Sequence, residues 1–122
     1  MLSFLFDTYA FYEIIVGNKN YIPFTKNVKI WTTKLNLMEL YYQLLKLYNK
    51  EIAVKFFKRY EEFIVPINNS LVIEAMDFRR KHYKKKLSYV DCIGYTIARN
   101  MNIQFLTGDM QFENMENVRF VK

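Results

Sequence analysis

The sequence predicts an α/β fold in three layers, with a mainly parallel sheet of four to five short strands flanked by helices. Short apolar runs alternate with segments of helical periodicity, a pattern typical of strand–helix–strand units. Only three glycines and two prolines argue against a turn-rich all-β protein. The 52% hydrophobic content is enough for a packed core, and 122 residues fit a single domain spanning residues 1–122.

The predicted strands are apolar runs bounded by polar residues or turn formers. They span residues 2–6, 28–31, 63–67, 103–107 and 118–121. Pro66 should place the third run at a sheet edge or end it. The predicted helices cover residues 8–16, 33–48, 50–62, 70–85 and 88–101, with Gly17, Thr32 or Thr33, Ser70 and Ser88 as their boundary residues. Residues 19–27 are expected to form a loop or a broken helix.

Charge and cysteine content narrow the class of protein. The net charge of +6 indicates a polyanionic partner such as nucleic acid or an acidic protein, although many soluble domains are basic for no such reason. A single cysteine, Cys92, excludes an intrachain disulfide and fits a cytoplasmic setting. Asp7 and Glu13 interrupt the apolar N-terminal segment, so we expect neither a signal peptide nor a membrane span.

Four acidic residues occupy related places in this pattern. Asp7 and Asp109 each follow a predicted strand, whereas Glu39 and Asp91 fall near helix starts. In a parallel sheet these positions share one edge, where ligands bind. Each acid also has a simpler explanation, because acids cap helices and favour their N-termini. Ser88-Tyr89-Val90-Asp91 and Asn36-Leu37-Met38-Glu39 both resemble capping boxes.

Two helical alignments favour a metal site over capping alone. Asp91 lies on the same side as Gly94 and Ala98, and Glu39 shares a stripe with apolar neighbours. Inward carboxylates are costly unless they are paired or metal-bound, and clustered ones repel one another without a cation. Oxygen ligands without nearby His or Cys favour Mg²⁺ or Mn²⁺ over zinc. Carboxylate clusters of this kind commonly hold one or two metal ions that serve phosphodiester hydrolysis.

Residues 79–86 form a basic stretch that ends five positions before Asp91. We predict that it contacts RNA phosphates, the alternative being a solvated helix end that complements the helix dipole. The RNA-binding candidates in it are Arg79, Arg80, Lys84, Lys85 and Lys86. His82 is the only histidine, so a His-rich site or a histidine pair is excluded. Without a catalytic histidine, Cys92 is expected to be a packed residue and not a nucleophile.

The chain resembles the PIN-domain family, and within it the VapC-type toxins of toxin–antitoxin pairs. The resemblance covers nearly the whole chain. The matching segments, in order, are Asp7-Thr8 after a strand, Met38-Glu39-Leu40, Leu87-Ser88-Tyr89-Val90-Asp91, and Phe105-Leu106-Thr107-Gly108-Asp109 followed by Phe112. Two positions depart from the family pattern. Tyr9 stands where small polar residues are common, and Gln111 stands where many relatives carry a further acid.

The resemblance implies a Mg²⁺- or Mn²⁺-dependent endoribonuclease, the toxin of a toxin–antitoxin pair. It implies that Asp7, Asp91 and Asp109 are metal ligands. Glu39 would bind the metal directly or through a water molecule, and the Thr107 hydroxyl would orient a carboxylate or a water. It also implies a homodimer and an antitoxin that blocks the cleft.

The residues leave other readings open. The chain could be a non-catalytic PIN-like module that binds RNA or protein, although the presence of all four acids disfavours loss of catalysis. A phosphatase with an aspartate nucleophile usually has a second acid two residues later, where Tyr9 stands here. The helix over residues 34–48 is apolar on nearly every side, so we expect part of it to pack against a second subunit or a partner helix.

Overall fold

Four parallel strands form the centre of the protein in a computed structural model that describes residues 1–122. The strands are β1 (Leu2–Phe6), β2 (Val28–Trp31), β3 (Gln104–Thr107) and β4 (Val118–Phe120), in the spatial order β2-β1-β3-β4. Every pairing is parallel. The predicted α/β class with a parallel sheet is therefore confirmed.

Five α-helices surround the sheet, and local signals set most of their ends. They are α1 (Thr8–Val16), α2 (Lys34–Leu47), α3 (Lys50–Tyr60), α4 (Asn69–Lys81) and α5 (Tyr89–Asn100). Asp7, Thr33 and Ser88 cap three of these helices with their side chains. Gly17 ends α1 at a φ of 88°, a left-handed conformation that glycine adopts without strain. Short 3₁₀ turns span Lys19–Phe24, Glu61–Phe63 and Met110–Phe112.

The strand side chains alternate between two cores, one on each face of the sheet. Phe4, Phe6 and Leu106 belong to a core with residues from α1, α2 and α3. Leu5 and Phe105 belong to a second core with residues from α4 and α5. Because both faces are covered, most strand positions are apolar, as expected of a parallel sheet between helical layers. The arrangement is the predicted three-layer sandwich.

The apolar run at residues 63–67 is not a fifth strand, contrary to the prediction. It makes one isolated parallel bridge, in which Thr32 and Ile64 are partners. The Thr32 N–H donates to Phe63 O at 3.0 Å, and Val65 N–H donates to Thr32 O at 2.8 Å. Phe63 still belongs to a 3₁₀ turn, and Pro66 has no N–H to extend the ladder. The run is therefore too short to form a strand.

Helix α4 starts and ends earlier than the sequence suggested. Asn68, and not Ser70, is its N-cap, with Oδ1 accepting from Leu71 N–H at 2.8 Å. The helix ends at Lys81 instead of continuing to residue 85. Like charges four residues apart, as at Arg80 and Lys84, oppose further helix. Residues 82–84 instead form a turn, and Lys85 after it reaches Gln111 beyond β3.

None of the helices is both long enough and apolar enough to cross a lipid bilayer.

Candidate functional site

A cavity of about 350 Å³ opens at the edge where the parallel strands end. Asp7 follows β1, Asp109 lies two residues beyond β3, and Asp91 is in the first turn of α5. All three aspartates line this cavity, together with Thr8, Tyr9, Gly108, Met110 and Lys122. The shared direction of the strands thus brings together side chains that are as much as 102 positions apart in the sequence.

Asp7 is the most buried acid of the site, with 3% of its surface exposed. Its Oδ1 accepts from Ala10 N–H at 2.9 Å, which caps α1, and its Oδ2 accepts from the Thr107 hydroxyl at 2.5 Å. Burial raises the pKa of Asp7 to about 8, against the two hydrogen bonds, with smaller contributions from the charges of Asp91 and Asp109. A neutral carboxyl group is therefore favoured at pH 7 in the metal-free protein.

Thr107 joins two of the aspartates through one buried hydroxyl group. While donating to Asp7, its Oγ1 accepts from Asp109 N–H at 3.0 Å. Asp109 Oδ1 accepts in turn from Gln111 N–H at 2.9 Å. Thr107 therefore fixes the Asp7 carboxyl group and the backbone that carries Asp109.

Gly108 permits a close backbone approach beside the cavity. A Cβ atom added there would lie 2.2 Å from a ring carbon of Tyr9 and 2.5 Å from the carbonyl oxygen of Val121. Both distances are far below van der Waals contact, so no larger residue fits without movement. Tyr9, where the family pattern has small polar residues, thus packs over the loop between Thr107 and Asp109.

Asp91 is half-buried and takes part in a complete capping box. Its Oδ2 accepts from Ser88 N–H at 3.2 Å, and its own N–H donates to Ser88 Oγ at 3.0 Å. Burial raises its pKa, the bonds from Ser88 lower it, and the charges of Asp109 and Glu39 raise it. A carboxylate has about four lone-pair sites, so capping leaves acceptor capacity for a cation. Capping and a functional role are therefore compatible here.

Glu39 does not line the cavity, although it is near enough to Asp91 for its charge to raise the pKa of that residue, and it is not a helix cap. Thr33 caps α2 with a bond from Asn36 N–H, so Glu39 is too far along the helix to complete a capping box. Its Oε1 accepts from the Thr8 hydroxyl at 2.7 Å. Buried Asn36 donates to that same hydroxyl at 3.2 Å. This network holds Glu39 next to the residue that follows Asp7.

The donor set suits a hard cation, but the side chains are not gathered around one point. No group of three or more His, Cys, Asp or Glu side chains is close enough to hold a metal ion as the protein stands. The available donors are carboxylates, which Mg²⁺ and Mn²⁺ prefer. The raised pKa values of Asp7 and Asp91 also report an uncompensated cost of negative charge, which a cation would offset.

The basic stretch makes two hydrogen bonds to segments that adjoin the elements carrying Asp109 and Asp91. Lys85 Nζ donates to Gln111 O at 3.1 Å, next to the Asp109 loop. Arg79 Nε donates to Leu87 O at 3.0 Å, just before α5. Its guanidinium group lies 4.7 Å from the ring centroid of exposed Tyr89. The remaining candidates, Arg80, Lys84 and Lys86, are exposed.

The two residues set aside by the sequence argument are part of the packing. Cys92 is fully buried, and burial raises the pKa of its thiol to about 11, which opposes thiolate formation. The ring of His82 lies against Phe78, with the centroids 4.4 Å apart.

Thr8 and Lys122 are site residues for which the sequence predicted no role. Thr8 connects Glu39 to the Asp7 turn, and the Lys122 ammonium group lies 3.4 Å from Gly108 O at the cavity. Lys122 could have been found by the rule that was applied to the acids. It follows a parallel strand, β4, and so lies at the same edge. The contact between Thr8 and Glu39 had no signal in the sequence, because it depends on how α1 and α2 pack.

Comparisons with known proteins agree with this fold. The profile of the PIN domain family matches residues 4–118. A search of curated proteins finds no match. The solved structure of Mycobacterium tuberculosis VapC20, described as a sarcin–ricin loop cleaving toxin, is similar with a TM-score of 0.80. It shares 18% identity, over 98% of this chain and 99% of that chain.

Two further solved structures, the first described as a toxin–antitoxin complex, are also similar. A complex from Klebsiella pneumoniae has a TM-score of 0.75 and 16% identity, over 94% of each chain. The VapBC2 structure from Rickettsia felis, bound to a promoter DNA fragment, has a TM-score of 0.71 and 18% identity, over 99% of this chain and 100% of that chain. At these identities the structures support the fold, and the profile match over nearly the whole sequence shows the family. The chain therefore belongs to the PIN domain family.

Proposed function

We propose that this protein is a Mg²⁺- or Mn²⁺-dependent endoribonuclease and the toxin of a toxin–antitoxin pair. One observation carries the proposal: in a PIN domain, Asp7, Asp91 and Asp109 line a single cavity although they come from three separate elements. Thr107 connects two of them, and Glu39 is held close by. Carboxylates at one edge of a sheet are the kind of donors that can hold a divalent ion for phosphodiester hydrolysis.

The metal would be held by Asp7, Asp91 and Asp109, with Glu39 as a direct ligand or one acting through water. A bound ion would supply a water of lowered pKa and stabilise charge on the attacking and leaving oxygens. Thr107 keeps the Asp7 carboxyl group oriented toward the site. Because burial favours the neutral form of Asp7, ion binding would displace its proton, and affinity should rise with pH.

RNA would reach the cavity over the basic surface beside it. Lys85 contacts the loop that carries Asp109, and Arg79 contacts the start of α5. With Arg80, Lys84 and Lys86 exposed nearby, the surface suits a phosphate backbone. The net charge of +6 favours the same partner.

Protein partners belong to the same proposal. Four apolar residues of α2 are exposed, which suits a homodimer contact or an antitoxin segment; they are Met38, Tyr42, Leu45 and Leu47. A similar fold occurs in a structure described as a toxin–antitoxin complex. We propose a homodimer, a cognate antitoxin that covers the cleft, and action in the cytoplasm.

The decisive experiment is cleavage of a panel of structured and single-stranded RNAs with Mg²⁺, Mn²⁺ or EDTA. Asp7→Asn and Asp91→Asn should each lose at least about 100-fold in rate, more than the loss typical of an outer-shell residue. Asp77→Asn is a matched control, since Asp77 is an exposed acid on α4 outside the cavity. Equal cleavage by wild type and both site variants would contradict the proposal.

One observation favours the alternative of a non-catalytic module that binds RNA or protein. The carboxylates are not gathered closely enough to hold an ion. The same panel separates the two proposals. Saturable RNA binding without cleavage under any metal would support the binding module, and metal-dependent cutting would remove it.

A further inference from the structure

A second cavity adjoins the acidic one and is lined by none of the three aspartates. It has a volume of about 640 Å³, within the range of small-ligand sites. Thr8 and Tyr9 line both cavities, so the two are neighbours on either side of the first turn of α1. We name this second cavity the α1–α2 furrow; its other lining residues are Tyr12, Glu13, Gln43, Lys46 and Leu47.

Helical spacing explains why these residues face one another. Tyr9, Tyr12 and Glu13 stand at positions i, i+3 and i+4 of α1, so they share one side of the helix. Gln43, Lys46 and Leu47 repeat the same spacing on α2. The furrow is therefore formed by two complementary helix faces and not by a loop.

The furrow combines the chemical groups that recognise a nucleobase. Tyr9 and Tyr12 offer aromatic surface for stacking, which is worth about 1–3 kcal/mol for each base. Glu13 offers a carboxylate, held by Asn18 Nδ2, which donates to its Oε1 at 2.8 Å. Gln43 offers an amide with both donors and an acceptor. Lys46 is exposed at the furrow and can pair with a phosphate.

We propose that the α1–α2 furrow binds the base of the nucleotide next to the cut phosphate. The proposal rests on the proposed ribonuclease function and adds a base-binding site to it. With the cut phosphate at the three aspartates, the adjoining nucleotide crosses Tyr9 and its base enters the furrow. Tyr12 stacks on that base, and the Glu13 carboxylate accepts from its edge.

The carboxylate also sets a preference among bases. Adenine, cytosine and guanine carry an exocyclic amine that donates to Glu13. Uracil has none, and its single N–H lies between two carbonyl oxygens that a carboxylate repels. A base with an exocyclic amine should therefore be preferred over uracil at this position, by about tenfold in cleavage rate for one good hydrogen-bonded contact.

Two measurements test the furrow. In the first, 2-aminopurine is placed at one position at a time in a short RNA, and its fluorescence is read on binding with Ca²⁺ in place of Mg²⁺. In the second, RNAs that differ only in the nucleotide beside the cut are compared for cleavage rate. The variants are Tyr12→Leu to remove stacking, Tyr12→Phe to retain it, and Glu13→Gln to replace the acceptor. Tyr48→Leu is the control, at an exposed tyrosine outside the furrow.

We expect the fluorescence of 2-aminopurine to be quenched at one position of the RNA. This quenching should be lost in Tyr12→Leu and retained in both Tyr12→Phe and Tyr48→Leu. Glu13→Gln should abolish the preference against uracil, so that RNAs with uracil and with adenine beside the cut are cleaved at similar rates. Quenching that survives Tyr12→Leu, or no quenching at any position, would overturn the proposal. Absence of cleavage under every metal would instead defeat the nuclease function, and the fluorescence measurement would still decide whether the furrow binds a base.

Discussion

The candidate site has two halves that are built differently. Its strand half consists of Asp7, Thr107 and Asp109, where the first two side chains are almost fully buried and joined by hydrogen bonds. Its helix half consists of Glu39 and Asp91, which are half-buried and held by one hydroxyl contact and one capping box. The strand half is therefore fixed by the core, whereas the helix half depends on local contacts near the surface.

The two halves differ in the free energy that burial of their carboxylates costs. Burying a carboxylate without a cation is expensive, and the protein bears most of that cost at Asp7. Asp91 and Glu39 keep contact with water and are freer to adjust. Since the acids are not gathered around one point, we expect ion binding to draw the helix half toward the strand half. The following predictions test this division, from the largest effect to the smallest.

Asp7→Asn should stabilise the metal-free protein at neutral pH. The pKa of Asp7 is near 3.8 when unfolded and about 8 when folded, so between these values only the folded state holds the proton. Stability should therefore fall as pH rises from about 4 to 8, by roughly 1.4 kcal/mol for each unit of pKa difference at most. Asp7→Asn removes this dependence and should gain a few kcal/mol at pH 8, measured by urea unfolding in EDTA.

If the free energies of unfolding of wild type and Asp7→Asn changed in parallel with pH, the strand half would not carry the cost of burying a carboxylate. Asp77→Asn serves as control, because that exposed carboxylate should leave the profile unchanged. Adding Mn²⁺ should restore wild-type stability at high pH and should leave Asp7→Asn nearly unaffected.

Thr107→Val should lower both the stability of the strand half and the cleavage rate, because the one hydroxyl group that it removes bonds to two partners. The substitution leaves the Asp7 carboxyl group and Asp109 N–H without their shared partner, at a cost of about 1–3 kcal/mol for a buried group left unpaired. Cleavage should fall about 10- to 100-fold, as for other residues that orient a metal ligand. Thr107→Ser keeps the hydroxyl and should retain most of the activity. Equal loss in both variants would point to packing instead.

Ser88→Ala should have a smaller effect, confined to the helix half. Loss of the N-cap costs about 1 kcal/mol and frees the start of α5, which carries Asp91. We expect a lower melting temperature and weaker Mn²⁺ affinity, with the pH dependence due to Asp7 unchanged. Ser88→Thr, which can also cap, should resemble wild type. A changed pH profile in Ser88→Ala would mean that the two halves are not separate.

Single substitutions in the basic surface should have the smallest effect. Lys84→Ala removes one exposed charge, and the slope of log binding constant against log salt should fall by roughly 0.7 for one phosphate contact on single-stranded RNA. Arg79→Ala should cost more, because Arg79 also bonds to Leu87 O next to the helix half. Filter binding of the Asp7→Asn protein over a salt series measures both. An unchanged slope in Lys84→Ala would remove Lys84 from the RNA surface.

Much of the fold could be predicted because its signals are local. The runs at residues 2–6, 28–31 and 103–107 correspond to β1, β2 and β3 within a residue, and Ser88 was identified as the cap of α5. The predictions of a strand at 63–67 and of a helix continuing to residue 85 were wrong for different reasons. Strand formation at 63–67 depended on pairing that Pro66 and a preceding 3₁₀ turn prevent, and α4 ends where repeated basic charges oppose the helix.

The sequence by itself determined that Asp7 and Asp109 share an edge, since parallel strands place the residues that follow them on one side. It could not determine how those acids are held. The bonds from Thr107 to Asp7 and from Thr8 to Glu39 join residues 100 and 31 positions apart. The furrow between Tyr12 and Gln43 likewise needs two helices packed side by side. Such contacts depend on sheet register and helix packing, which local propensity does not encode; only the tertiary structure decided them.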